Sequence, residues 1–129
     1  MNAMKQINIA DVACDSFTTV SKFDGRRLTV RMRGNADIDA LPLLKPFIAA
    51  LDTEAVQVRA QIVELDLDEL YFMNSSCLSI LSTWIRKLST STGGPTYRIE
   101  FRANEKLRWQ KRSLHVLCCF GQNLVTIAS

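Results

Sequence analysis

LDLDELYFMNSSCLSILSTWIRKL, residues 65–88, changes its hydrophobic period partway along, and that change decides the fold. In the first part Leu65 and Leu67 continue the apolar set of Ile62 and Val63, the pattern of a strand. After Tyr71-Phe72-Met73, apolar residues return at Leu78, Leu81, Ile85 and Leu88, the spacing of one helix face. An acidic turn at Asp66-Asp68-Glu69 is expected to close the strand, and Asn74-Ser75-Ser76 marks the start of the helix. Asn and Ser readily cap helix amides, and a strand feeding a helix leaves the first amides facing outward, where an anion can bind. The serines therefore have two uses, as a cap or as a hydroxyl that carries a phosphate.

Upstream, Phe17-Thr18-Thr19-Val20 and the alternation of Leu28, Val30 and Met32 with Arg27, Thr29, Arg31 and Arg33 predict a hairpin with one wet face, turned at Asp24-Gly25. Gly34 ends its second strand. Residues 40–57 carry an apolar stripe of Leu41, Leu44, Phe47, Ile48, Leu51 and Ala55 and should be helical. Pro42 and Pro46 place the regular part of that helix at Leu43 or later, or bend it there. Ahead of the hairpin, residues 1–15 form either an edge strand or a surface arm, on the weak signal of Ile7, Ile9 and Val12.

Downstream, residues 90–95 read as a loop, and Tyr97, Ile99 and Phe101 as alternate positions of a strand. Residues 106–120 have helical spacing at Leu107, Leu114, Leu117 and Cys118, with Gly121 as the stop, and residues 124–127 form a last strand. Alternating strands and helices predict an α/β domain with a mixed, mostly parallel sheet of about five strands backed by helices. At 129 residues the chain is expected to be one domain, 1–129.

Composition excludes several classes. A hydrophobic fraction of 47% with 22% charged residues argues for a folded globular chain. A net charge of +3 from dispersed basic residues does not point to nucleic acid. No apolar run reaches the roughly 20 residues needed to cross a bilayer, and the first residues lack the features of a signal peptide, so the expected location is the cytoplasm. Cys14, Cys77, Cys118 and Cys119 lack metal or redox spacing and are expected as reduced, mostly buried thiols. His115 is the single histidine, so neither a metal site nor a cofactor is expected. A nucleophilic serine is disfavoured because His115 lies in another predicted helix and no Gly-x-Ser-x-Gly elbow is present. Asp37 with Asp66, Asp68 and Glu69 reads as solvated acid, and Lys106, Arg108, Lys111 and Arg112 around Trp109 as a solvated helix face with the indole half buried.

The strand, turn and Asn74-Ser75-Ser76-Cys77 followed by an apolar helix resemble the STAS domain of bacterial anti-sigma-factor antagonists, whose motif reads Asp-Ser-Ser-Gly. Gly34-Asn35-Ala36-Asp37 is similar to the family's Gly-x-x-Asp. Trp109-Gln110 with Ser113-Leu114 resembles a bacterial branch that carries Asn-Ser-Ser. The chain departs from the common motif at Asn74, which replaces Asp, and at Cys77, which replaces Gly. The resemblance implies a non-enzymatic, cytoplasmic partner-switching regulator. In such families a histidine-kinase-like ATPase, acting as a serine kinase and anti-sigma factor, phosphorylates the first serine, and a PP2C-type phosphatase reverses it. Carried over by position, Ser75 is the acceptor with Ser76 as the alternative, and Asp37, Asn74, Ser75, Ser76 and Cys77 are the partner-binding residues. A homodimer is a further allowed partner. The other readings are a constitutive adaptor or transporter-associated STAS subunit without phosphorylation, and a small-ligand or nucleotide sensor.

Overall fold

The computed structural model describes residues 6–94, 96–121 and 123–128. Alternation in the early chain produces a hairpin: β1 (Phe17–Phe23) and β2 (Arg27–Ala36) pair antiparallel, with Phe23 opposite Leu28 and Phe17 opposite Gly34. The expected Asp24-Gly25 turn closes it. The Asp24 carboxylate accepts the amides of Arg26 and Arg27 at 2.9 and 2.7 Å, and Gly25 takes a φ of 101°, a conformation that costs a residue without a Cβ little.

Helix α1 (Leu41–Gln57) then crosses to β3 (Ile62–Met73), α2 (Ser75–Ser89) to β4 (Arg98–Arg102), and α3 (Arg108–Phe120) to β5 (Val125–Ala128). The five strands lie in sequence order, β1 and β2 antiparallel and every later pair parallel, as the alternating elements predicted. Residues that point inward from the sheet, among them Leu28, Val30, Val63, Leu65, Ile99 and Phe101, share one core with Leu44, Leu51, Leu81, Ile85 and Leu114 of the helices. On the opposite face Arg27 bridges Glu64 and Glu100, Arg31 faces Asp66 at 3.6 Å and Arg33 faces Glu69 at 3.2 Å. Cross-strand pairs of opposite charge let this face stand in water.

Two sequence expectations are corrected and a third, Gly121 as the stop of α3, holds for a different reason. Helix α1 starts at Leu41, two residues ahead of the expected start; Pro42 fits its first turn and Pro46 lies within it, both on the exposed side where a carbonyl that loses its amide partner can meet water. The acidic run does not turn: Asp66, Asp68 and Glu69 lie inside β3, which continues to Met73. There β3 carries one extra residue against β2 at each of two register shifts, between Arg31 and Arg33 and again between Gly34 and Asn35. Gly121 does cap α3, but its φ is −142°, outside the left-handed region. Space is its reason, since a Cβ there would lie 2.7 Å from Ile85 Cγ2.

The segment ahead of β1 is an arm, with one isolated bridge between Ala13 and Thr18; residues 1–5 of that expected element lie outside the described residues. Val12 is buried, Ile7 and Ile9 pack against the core, and the Asn8 amide donates to the buried Glu54 carboxylate at 2.8 Å. Asp11 accepts the hydroxyls of Thr19 and Ser21. At the other end of β1, Gly34 has a φ of 97°, and a Cβ on it would lie 2.2 Å from the Ser16 carbonyl, which also accepts the Asn35 amide at 2.7 Å. Gly34→Ala should therefore lower stability by more than about 2 kcal/mol, combining backbone strain with a backbone clash. Urea unfolding measures it, and an unchanged midpoint would show that the β1–β2 end relaxes freely.

Candidate functional site

The ladder between β3 and β4 ends at Asp66 and Arg102, yet β3 runs seven residues further. Its carbonyls on that side need other partners. Gln110 of α3 supplies them: its amide Nε2 donates to the carbonyls of Leu67 and Leu70 at 2.6 and 3.0 Å, and its Oε1 accepts the Asn104 amide at 2.7 Å. Asn104 Nδ2 donates to the Asp68 carbonyl at 2.9 Å. Gln110 is fully buried. The sequence signal for it was the Trp109-Gln110 pair, whose physical purpose only the geometry reveals: α3 takes the place of a sheet neighbour and holds the end of β3 in extended form.

Where β3 ends, Asn74 has extended backbone, its amide donates to the Ala36 carbonyl at 2.9 Å, and its Oδ1 accepts the Cys77 amide at 2.8 Å. Asn74 is thus the cap of α2, and Ser76 is not. The Cys77 amide is taken by that side chain and the Leu78 amide by the Asn74 carbonyl, which leaves the amides of Ser75 and Ser76 as the pair the helix itself cannot satisfy. Both serines are exposed, and no acidic residue stands in the first turn of α2.

Asp37 follows β2 at the same end. Its Oδ1 accepts the Ser16 hydroxyl at 3.1 Å and the amides of Asp39 and Ala40 at 3.0 and 3.3 Å, which fixes the turn into α1. The Cys77 thiol points at the Asp37 carbonyl, 3.8 Å away. Burial, and then the charge of Asp37, push that thiol above its ordinary value, so the Asp37 charge reaches the first turn of α2. The structure thus brings Asp37, Asn74, Ser75 and Ser76 together. Cys77 does not join them as a contact residue, because its side chain is fully buried and faces the core.

Sequence reasoning missed three residues at this end. Ile38 is 74% exposed in the turn after Asp37, and Tyr71 and Phe72 are 56% and 47% exposed in the last residues of β3. Their signal was available: Leu70-Tyr71-Phe72-Met73 is four apolar residues in a row, and a strand cannot turn all of them inward. Leu70 and Met73 are buried, leaving the two aromatic rings outside.

Other expected features fall elsewhere. Of the four cysteines, all free, only Cys77 is buried; Cys14 and Cys118 are half buried and Cys119 is exposed, which corrects the expectation of mostly buried thiols. His115 is exposed on α3, and Trp109 is half buried. Among the described residues no cluster of His, Cys, Asp and Glu could hold a metal ion, and no helix is long and apolar enough to cross a membrane.

No protein-family model matches the chain, and no curated protein matches it. Solved structures do. An anti-sigma factor antagonist from Mycobacterium paratuberculosis superposes with a TM-score of 0.63 at 23% identity, over 90% of this chain and 88% of that one. The anti-sigma factor antagonist SpoIIAA in its unphosphorylated form superposes with a TM-score of 0.57 at 15% identity, over 86% of this chain and 88% of that one. The chain has the STAS fold. Its mixed sheet, with one antiparallel pair and three helices, is that of these antagonists, as the Asn74-Ser75-Ser76 resemblance implied.

Three substitutions separate the roles at this STAS helix start. Asn74→Ala should cost about 1 kcal/mol through the lost cap, whereas Ser75→Ala and Ser76→Ala should each stay within about 0.5 kcal/mol of the parent. Equal losses in thermal or urea unfolding would mean that a serine shares the cap. Gln110→Met, which keeps volume but removes the amide, should cost at least roughly 2 kcal/mol, because it strands buried carbonyls. The same change should speed hydrogen exchange in the last residues of β3, while an unaltered exchange pattern would show that this end needs no support from α3.

Proposed function

We propose that the protein is a non-enzymatic partner-switching regulator in the cytoplasm, which docks a protein through the end of the sheet around Ser75 and is released when Ser75 is phosphorylated. The observation that carries this reading is the pair of exposed serine hydroxyls at the first turn of α2, at the same end of the sheet as the exposed side chains of Ile38, Tyr71 and Phe72. Exposed aromatic and aliphatic groups around a small polar centre are the composition of an interface. The fold shared with anti-sigma factor antagonists supports a regulator of this kind. On this reading the partner is a serine kinase and anti-sigma factor of the histidine-kinase-like class, and a PP2C-type phosphatase reverses the mark.

The chemistry is a phosphoryl transfer to the protein. Ser75 Oγ takes the γ-phosphoryl group of ATP held by the kinase, ADP leaves, and the hydroxyl proton is released; hydrolysis by the phosphatase returns the serine and inorganic phosphate. Free amides at the start of α2 and the helix dipole stabilise the phosphate, while Asp37 opposes it. The product adds nearly two negative charges to a surface whose neighbours are apolar, so a partner that buries that surface must desolvate them or leave. Asn74 in place of the family's usual Asp removes one charge from beside the acceptor and keeps the cap.

Incubating the protein with ATP and candidate kinases of this class tests the proposal. Phosphate should enter at Ser75, be lost in Ser75→Ala, and persist in Ser76→Ala, with mass spectrometry of peptides locating it. Ser75→Glu should weaken kinase binding by at least roughly tenfold, and Tyr71→Ser with Phe72→Ser should weaken it without changing the fold. If Ser75→Glu binds as tightly as the parent, the switch is wrong, and retained dependence on Tyr71 and Phe72 would leave a constitutive adaptor in its place.

A further inference from the structure

Strand β5 is an edge of the sheet, and the described surface beside it is hollowed out. The Ile99 amide donates to the Leu124 carbonyl at 3.0 Å, and the Ala103 amide donates to the Ala128 carbonyl at 2.7 Å. In a parallel pair the bonded residues alternate, so Leu124, Thr126 and Ala128 direct their backbone groups at β4, while the Val125 carbonyl and the amide and carbonyl of Ile127 face outward; the Val125 amide is taken by the Gly121 carbonyl at 3.0 Å. Among the described residues no strand lies beyond β5. Natural edges are usually blunted by charge, proline or a covering element, and the sequence of β5, Val-Thr-Ile-Ala, carries neither charge nor proline.

Between β5 and α3 runs a half-open groove of about 870 Å³. Ala103, Leu114, Val116 and Ile127 give it an apolar floor, and Val116 and Ile127 are each about half exposed there. Lys111, Arg112 and His115 stand on its α3 side, with Glu105 at the mouth. An occupant must therefore satisfy outward backbone groups, cover apolar side chains and answer positive charge. A second copy paired through β5 would bring two basic rims together, which charge disfavours.

We propose that this edge and groove bind an extended acidic segment of a partner protein, which adds to the sheet beside β5. Its backbone pairs with the Val125 carbonyl and with the amide and carbonyl of Ile127. Its groove-facing side chains are apolar against Leu114, Val116 and Ile127 and carboxylate against Lys111 and Arg112, the division of labour in which main-chain bonds give affinity and alternate side chains give specificity. The surface lies on β5 and α3, away from Ser75 on α2, and it operates whether or not Ser75 is ever modified.

The test uses the whole chain and the labelled peptide Thr-Glu-Thr-Val-Thr-Glu-Thr, whose alternate residues offer a carboxylate, an apolar group and a carboxylate to one face. Binding should weaken as salt rises, and the bound peptide should protect the Ile127 amide from hydrogen exchange. Ile127→Pro removes only an outward amide from the backbone, a change an edge strand tolerates, and should weaken binding by roughly tenfold. Lys111→Glu with Arg112→Glu, which leaves β5 untouched, should weaken it at least as much and reverse the preference toward the peptide with Lys in place of Glu. Several outcomes overturn the proposal: no binding at millimolar peptide, binding without protection of the Ile127 amide, an undiminished affinity in Ile127→Pro, or displacement by dodecanoate that leaves that amide exchanging freely.

Discussion

Gln110 holds the candidate site in place by a simple constraint: backbone groups removed from water need partners. Strand β3 outruns β4, and without a substitute neighbour its final residues would carry stranded carbonyls. One buried amide, donating to the carbonyls of Leu67 and Leu70 and accepting from Asn104, provides that neighbour. The extension then reaches Met73, Asn74 docks on the Ala36 carbonyl, and α2 begins where two strand ends meet. A polar residue in a helix that otherwise buries leucines thus determines where the serines stand.

At that end the sequence assigns separate tasks to neighbouring side chains. Asn74 satisfies the helix, Asp37 fixes the turn into α1, and Cys77 fills the space between them. Ser75 and Ser76 make no side-chain hydrogen bond among the described residues, so their hydroxyls are available for chemistry at little cost to stability. Two residues that depart from the common motif of the resembling family are accounted for by packing. Asn74 keeps a capping oxygen without the charge, and the Cys77 side chain turns inward, so its bulk does not cover the serines.

Element order was legible because the period of the apolar residues changes cleanly at Ser75 and because Asp24-Gly25 and Gly34 punctuate the hairpin. The acidic residues of β3 misled for a physical reason. Charge in a strand normally signals its end, but Asp66 and Glu69 are answered across the sheet by Arg31 and Arg33, partners that local pattern cannot see. Gln110 was readable only as part of a resemblance, since its three bonds span sequence separations of 6, 43 and 40 residues. Ile38, Tyr71 and Phe72 were missed because an apolar residue reads as core until topology places it outside.

A phosphate on Ser75 would meet a helix that is well anchored. Leu81, Ile85 and Leu88 are buried, and the Trp84 indole donates to the Tyr97 hydroxyl at 2.8 Å, which in turn donates to Asp52 on α1 at 2.6 Å. Burial first, and then the bond to Asp52, hold the Tyr97 phenol far above its ordinary value, so it keeps its proton and its role as donor. Because the cap of α2 comes from Asn74, modifying Ser75 removes no bond that the helix start relies on. In the proposed switch the fold would therefore stay as it is, and the added charge would act on the partner directly, by making the exposed end of the sheet expensive to bury.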